Sequence, residues 1–289
     1  MAKASILIGI PLAKQRLDLL LVEREFCDSR QQAQRLIRAG DVQVNRQVVD
    51  KPGTDIPIDA EILLKARSPY VSRGGEKMAK ALETFSIAVE DRVCLDGGIS
   101  TGGFTDCLLQ KGARQVYGVD VGYGQVAWAL RTDPRVILKE RTNLRNLLPE
   151  QLYPPDAQRP DLGVADVSFI SLTKVLPALW ALLQPPREAI LLVKPQFEVG
   201  KERVGKGVVR DPKDRAGAIA AVLEAALGLG WRYRGLTWSP LLGPAGNIEF
   251  LLWLGMESET LPPDLSEILK LTQSAQTQLQ IGVDSGTNH

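Results

Sequence analysis

Four residues far apart in the chain occupy the same kind of position. Asp166 ends the apolar run "LGVAD", Lys194 ends "ILLVK", Glu249 opens "EFLLWL", and Lys77 follows the glycine pair of "SRGGEK". In chain order they read Lys, Asp, Lys, Glu, separated by 89, 28 and 55 residues. Acids and cations converging from separate elements are the usual material of proton transfer and substrate alignment. Each of them alone also fits a strand-end salt bridge.

A second constellation lies in Leu95-Asp96-Gly97-Gly98-Ile99-Ser100-Thr101-Gly102-Gly103-Phe104. An apolar strand ends in an acid, enters a turn of small residues and opens a helix. Such a turn lets main-chain N–H groups and the helix N-terminus approach a ligand closely. A pyrophosphate cofactor asks for G-x-G-x-x-G at this point. Asp96 is a poor neighbour for phosphate, but a good one for the cationic amino-acid end of S-adenosylmethionine. Asp120 closes the next predicted strand 24 residues on, near the spacing at which an acid meets a ribose diol in a Rossmann-like sheet. An ordinary glycine-rich turn is the alternative reading of the motif alone. The second acid and the pattern downstream favour a methyl-donor site.

Periodicity supplies the elements that must hold these residues. Residues 81–254 alternate strand and helix patterns, with strands expected at 93–96, 115–121, 135–140, 162–167, 189–194, 233–239 and 248–254. Helices are expected at 105–111, 125–131, 172–183 and 215–229. This is an α/β domain, a Rossmann-like doubly wound sheet of seven strands with its ligand at the strand carboxyl ends. The last strand follows its predecessor through "PLLGPAGN" with no helix between, which predicts an antiparallel hairpin at one edge. That ending suits a methyltransferase better than a nicotinamide enzyme.

A small α+β module precedes it over residues 13–65: helix, helix, hairpin. A first helix is expected from Ala13 to Arg24 and a second from Arg30 to Ala39, capped by Ser29 with Gln32 in capping-box position. On the second helix Arg30, Gln34 and Arg38 share a polar face, while Ala33, Leu36 and Ile37 point inward. Val42, Val44 and Val48 alternate around an Asn45-Arg46 turn. Residues 1–12 form an extension, 66–80 a linker with a helix from about Glu76, and 255–289 an acidic tail. In that tail Leu265, Ile268, Leu269 and Leu279 suggest a short helix before a disordered end.

Composition bounds the chemistry. The 289 residues are 44% hydrophobic, without an apolar run long enough to span a membrane. Cys27, Cys94 and Cys107 are an odd, scattered set without C-x-x-C spacing, which argues against a disulfide framework or a zinc site and for the cytoplasm. The one histidine, His289, is the last residue, so no mechanism rests on imidazole. Residues 1–80 carry 14 Lys and Arg against 10 Asp and Glu, a basic front end that hints at a polyanionic partner. No Asn/Asp-Pro-Pro-Tyr/Phe motif ends the fourth strand and no Pro-Cys nucleophile is present, which disfavours methylation of exocyclic amines or of pyrimidine C5.

The stretch "RLDLLLVEREFCDSRQQAQRLIRAGDVQVNRQVVDKPGTDI" resembles the small RNA-binding module named after ribosomal protein S-four. The resemblance implies phosphate contacts from Arg30, Arg35, Arg38, Arg46 and Lys51, with Arg46 standing where that family often has Gly. The Lys77, Asp166, Lys194, Glu249 set resembles the catalytic tetrad of FtsJ-like ribose 2′-O-methyltransferases. "YVSRGGEK", "LDGGISTGGFTDCLL", "GVDVGYGQVAWALR", "ERTNLR", "ADVSFISL", "VKPQFEVGK" and "GPAGNIEFLLWL" together resemble the TlyA family, historically labelled haemolysin A. Gly98-Ile99 stands where that family often has Gly-Ala.

What this resemblance implies is methylation of a cytidine 2′-hydroxyl in ribosomal RNA or ribosomal subunits, using S-adenosylmethionine. Asp96, Gly97, Gly98, Ser100, Thr101, Gly102, Gly103 and Phe104 are then expected to shape the methionine pocket. Asp120 and Val121 meet the ribose and adenine side, and Asn143 with Asp166 completes it. Lys194 is expected as base, Asp166 as its orienter, and Lys77 and Glu249 as positioning groups, Lys77 being the neighbouring cation that favours a neutral Lys194. Two rivals stay open: a non-catalytic RNA-binding or ribosome-assembly factor, and a membrane-lytic protein, for which no basic amphipathic helix speaks.

Overall fold

The computed structural model describes residues 13–64 and 68–287, and it divides into two units between Arg67 and Ser68. The front unit starts differently from expectation. Lys14–Arg16 forms a strand (β1) antiparallel to Asp55–Pro57 (β4), and the first helix (α1) spans only Leu17–Glu23. Ser29 caps the second helix (α2, Arg30–Arg38), its hydroxyl accepting from Gln32 N at 3.3 Å. The Gln32 side chain accepts from Asp28 N rather than closing a capping box on Ser29. Val42–Val44 (β2) pairs with Gln47–Val48 (β3) across Asn45 and Arg46, both in the left-handed region at φ +49° and +66°, and with Ile62–Leu64 (β5). Ala33, Leu36 and Ile37 face inward onto Leu17, Leu21 and Val42, as the helical spacing predicts. The expected extension over residues 1–12 lies outside the described residues.

The second unit opens with helix α3 (Gly74–Phe85), which takes in the last residues of the stretch read as a linker. It then alternates β6 (Val93–Gly97), α4 (Gly103–Gln110), β7 (Gln115–Val119), α5 (Trp128–Arg131) and β8 (Val136–Lys139). After α6 (Pro149–Leu152) come β9 (Leu162–Ala165), α7 (Leu176–Leu182), β10 (Glu188–Val193), α8 (Pro195–Glu198) and α9 (Pro212–Gly228). Strands β11 (Arg232–Trp238) and β12 (Phe250–Gly255) and helix α10 (Leu265–Thr287) complete it. The seven strands order as β11-β12-β10-β9-β6-β7-β8, with β12 alone running opposite to the other six. The hairpin is therefore present, and its second strand is inserted between β10 and the edge strand β11.

Strand alternation sorts the core into two layers. Val93, Leu95, Tyr117, Leu191 and Phe250 face α7 and α9, whereas Cys94, Val116, Val164, Ile190 and Leu251 face α3 and α4. Both sheet faces are thus covered, which is why these strands read as nearly unbroken apolar runs. The tail is more ordered than expected. Helix α10 docks on α9 through Ile268 and Ala275, and Thr272 Oγ1 donates to Pro212 O at 3.0 Å. The expected disordered end is described as helix up to Thr287, and residues 288–289 lie outside the described residues. Among the described residues, no helix is long and apolar enough to cross a membrane.

Candidate active site

The chain leaves β6 for β7 and β8 on one side and returns to β9 and β10 on the other, so the crevice above β6 and β9 is the sheet's switch point. Parallel pairing sets Asp96 beside Val164, and Asp166 N donates to Gly97 O at 3.0 Å. Gly98, at φ +86°, crosses here: a Cβ on it would come within 2.7 Å of Asp166 O. Any side chain at that position would force the two strand ends apart.

Two adjoining cavities open along this crevice. One, of about 340 Å³, is lined by Asp120, Val121, Asn143 and the segment from Asp166 to Ile170. The other, of about 220 Å³, is lined by Asp96, Thr101, Gly103, Phe104 and all four residues of the Lys–Asp–Lys–Glu set. Gly98, Ser100 and Asp166 border both. Gly97 and Gly102 line neither cavity and work from behind. A Cβ on Gly97 would meet Leu144 at 2.5 Å, and one on Gly102, at φ +100°, would meet Leu130 at 2.3 Å. They let the turn pack closely.

The four polar residues form two ion pairs. Lys77 on α3 meets Glu249 at the start of β12, Nζ to Oε2 2.5 Å, and both are buried. Lys194, just past β10, stands 2.6 Å from Asp166 Oδ1 as an ion pair outside hydrogen-bond geometry, and its Nζ donates to Ser168 Oγ at 2.8 Å. Lys77 was expected to serve as the neighbouring cation of Lys194; the structure gives it a carboxylate of its own. The set of four thus holds two lysines and two acids, three of them at strand ends and Lys77 on a helix.

The carboxylates around the crevice suit a cation. Asp96 is fully buried; its Oδ2 accepts from Thr105 N at 3.1 Å and Thr105 Oγ1 at 2.7 Å, while Oδ1 has no hydrogen-bond partner. Burial pushes its carboxyl up to about 7, helped by the negative charges of Asp166 and Asp120 and opposed by the Thr105 bonds. An ammonium arriving at Oδ1 would satisfy an orphaned acceptor and neutralise a costly charge. Asp120 is held by two backbone donors, Ser100 N at 2.8 Å and Gly122 N at 2.7 Å, which leaves lone pairs on each oxygen for a diol. Three carboxylates on one crevice would repel a pyrophosphate. They fit the sulfonium and ammonium charges of S-adenosylmethionine.

Asn143 lines the larger cavity with its side-chain oxygen committed to capping Arg145 N. Sequence reasoning passed over Ser72, Arg73, Gln125, Thr142, Ser168 and Phe169, which also line the cavities. Phe169 is 91% exposed at φ +63°. A hydroxyl two residues after a strand-end acid was the available signal for Ser168.

In the front unit, Arg30, Arg35, Arg38, Arg46 and Lys51 are all exposed. Arg30 is not free to move, since its Nε donates to the buried Asp18 Oδ2 at 2.9 Å. Arg16 and Gln34 bind the same carboxylate, and the Arg16 fork holds Asp18 well below the usual carboxylate range.

Comparison with known proteins matches the family model described as FtsJ-like methyltransferase over residues 70–256, and the S4 domain over residues 15–62. The chain belongs to the FtsJ-like methyltransferase family. A Mycobacterium tuberculosis relative named 16S/23S rRNA (cytidine-2'-O)-methyltransferase TlyA is 49% identical over 249 residues, 85% of this chain and 91% of that one. YqxC of Bacillus subtilis, named as a candidate rRNA methyltransferase, is 46% identical over 274 residues, 92% and 96% of the two chains. The solved structure of a hemolysin candidate from Streptococcus thermophilus superposes with a TM-score of 0.73 at 39% identity, covering 94% of this chain and 98% of that one. Like other FtsJ-like methyltransferases, this chain uses S-adenosylmethionine as its methyl donor.

Proposed function

We propose that the chain methylates a cytidine ribose 2′-hydroxyl in ribosomal RNA, with the front unit as the RNA anchor and ribosomal subunits, in the cytoplasm, as its substrates. The observation that carries this reading is the cavity shared by the Asp96 turn and the two ion pairs, Lys77–Glu249 and Lys194–Asp166. A methyl-donor pocket alone would serve many acceptors. A buried lysine set beside it addresses an acceptor that must lose a proton.

A ribose hydroxyl ionises only far above neutral pH and is a weak nucleophile, so the protein must align it and remove its proton as the new bond forms. S-adenosylmethionine, when bound, supplies a methyl group on a sulfonium and departs as a neutral thioether. In our assignment Asp96 receives the amino-acid ammonium and Asp120 the ribose diol. Lys194 accepts the 2′-hydroxyl proton, Asp166 orients Lys194 and borders both cavities, and Lys77 with Glu249 shapes the acceptor side. Gly98, Ser100, Thr101, Gly103 and Phe104 wall the methionine end, and Val121 with Asn143 the adenine end.

Mass-spectrometric mapping of 2′-O-methyl marks on both ribosomal RNAs, after incubation of unmodified subunits with the protein, tests the reading. A new methylcytidine is expected with wild type. Lys194→Ala should lower its formation by about a hundredfold or more. Lys194→Arg should fail equally, because guanidinium does not give up its proton. A fully active Arg variant would remove lysine as the base.

A further inference from the structure

We infer that Ser168 is a positioning residue for Lys194: its hydroxyl holds the lysine nitrogen by a hydrogen bond, and the charge of Asp166 beside it turns the free lone pair toward the reacting hydroxyl. The inference rests on the reading above, in which Lys194 takes the proton. Besides its bond to Cε, the tetrahedral nitrogen has three directions. One is given to Ser168 Oγ at 2.8 Å, the one hydrogen bond of this nitrogen among the described residues, while Asp166 Oδ1 stands 2.6 Å away as an ion-pair partner outside hydrogen-bond geometry. An ammonium has three donors and no acceptor, so the Ser168 hydroxyl accepts. In the neutral amine one hydrogen stays on Ser168 Oγ, and the lone pair turns away from the negative charge of Asp166. Without the Ser168 hydroxyl, no hydrogen bond among the described residues fixes rotation about the Cε–Nζ axis, and the lone pair would sweep around it.

The loop that carries Ser168 is fastened to the segment that carries Lys194. Ser171 Oγ donates to Glu198 Oε2 at 2.6 Å and Leu172 N to Glu198 Oε1 at 2.8 Å, and Glu198 belongs to α8, which begins directly after Lys194. The rings of Phe169 and Phe197 pack with centroids 5.2 Å apart. Phe169 sits at φ +63°, a region that bulky side chains rarely adopt, so the loop is held in this shape by its surroundings. Ser168 itself is exposed and lines the larger cavity, so little of the fold depends on its hydroxyl.

The proton step balances without another reagent. The 2′-oxygen forms a bond to the methyl carbon, the carbon–sulfur electron pair leaves with sulfur, and the hydroxyl proton passes to the Lys194 lone pair. The products are the 2′-methyl ether, the thioether and a lysine ammonium that returns its proton to solvent.

Methyl transfer to unmodified ribosomal subunits by the full-length chain, at saturating S-adenosylmethionine and subunit, provides the test. Ser168→Ala should lower kcat by about tenfold, the scale of a modest misplacement of a reacting group, with KM for both substrates unchanged. Ser168→Thr, which keeps the hydroxyl, should recover most of the rate. A wild-type kcat in Ser168→Ala overturns the inference. So does a loss confined to KM for S-adenosylmethionine, which makes Ser168 a cavity wall, or a Thr variant as slow as Ala at unchanged thermal stability. Lys194→Ala in the same assay separates the two layers. If it stays active, the base assignment has failed; if it is inactive while Ser168→Ala is not, only the Ser168 inference falls.

Discussion

Lys77 Nζ and Glu249 Oε2 stand 2.5 Å apart across 172 residues of chain, with Glu249 only 1% exposed. The pair ties α3 to the start of β12. Desolvating two charges costs about as much as their attraction returns, so the pair is poor evidence for stability by itself. Removing one partner is different, since it strands a buried charge. Glu249→Ala should therefore lose about 3–5 kcal/mol in denaturant unfolding. Lys77→Met combined with Glu249→Leu should regain most of that while methyl transfer stays lost. Recovery of activity along with stability would show the pair to be structural only.

Asp96 sets a pH dependence on cofactor binding. Its carboxyl is raised to about 7 by burial, so below that pH it is protonated and offers no charge to an ammonium. Affinity for S-adenosylmethionine should rise from pH 6 to pH 8 and then level off, with proton release on binding near and below pH 7, measurable by calorimetry in buffers of different ionisation enthalpy. Stability of the ligand-free protein runs the other way. The folded state binds the extra proton, so Asp96 makes the fold less stable as pH rises from about 4 to about 7. Asp96→Asn should flatten both profiles and weaken binding at pH 8. A pH-independent affinity would mean that Asp96 never meets the ligand charge.

Asp96, Asp166, Lys194 and Glu249 were legible as chemistry because each interrupts or bounds an apolar run whose period already defined a buried strand. The sheet was legible for the same reason. Strand β1 was not: Lys14, Gln15 and Arg16 show no alternation, and their extended form depends on pairing with Asp55–Pro57 about 40 residues away. The length of α10 was obscured because its inward face includes Thr272 and Ala275, which do not read as an apolar stripe. Arg30 read as a free phosphate ligand because its bond to Asp18 forms only once two helices pack. Ser168 went unnoticed because a loop hydroxyl carries no period, and its meaning comes entirely from where Lys194 lies.

Asp120 should behave as a ligand group with a structural duty. Its two oxygens already accept from Ser100 N and Gly122 N, so Asp120→Ala removes both the diol acceptor and the brace of the turn. S-adenosylmethionine affinity should fall by about 1–3 kcal/mol, the worth of a charged hydrogen bond. Asp120→Asn keeps one acceptor for the backbone and should fall less. Unchanged affinity in calorimetry of the Ala variant would make this acid purely a turn brace.

The two units should divide cofactor and RNA between them. Every residue lining the two cavities lies beyond Ser68, whereas Arg35, Arg38, Arg46 and Lys51 lie in the front unit. A chain starting at Ser68 should bind S-adenosylmethionine with wild-type affinity and lose productive binding to ribosomal subunits. Charge reversal in the full chain tests the same point without truncation, and the choice of arginine matters. Reversing Arg30 would set an acid against the buried Asp18 and unravel the packing of α1 on α2, confusing a folding defect with a binding one. Arg35→Glu with Arg38→Glu avoids this, since both side chains are exposed. RNA affinity should drop, and the slope of log affinity against log salt should become shallower by about 0.7–0.9 for each phosphate no longer neutralised. If subunit methylation survives both the truncation and the double reversal undiminished, recognition resides in the methyltransferase unit alone and the basic helix face is only solvated surface.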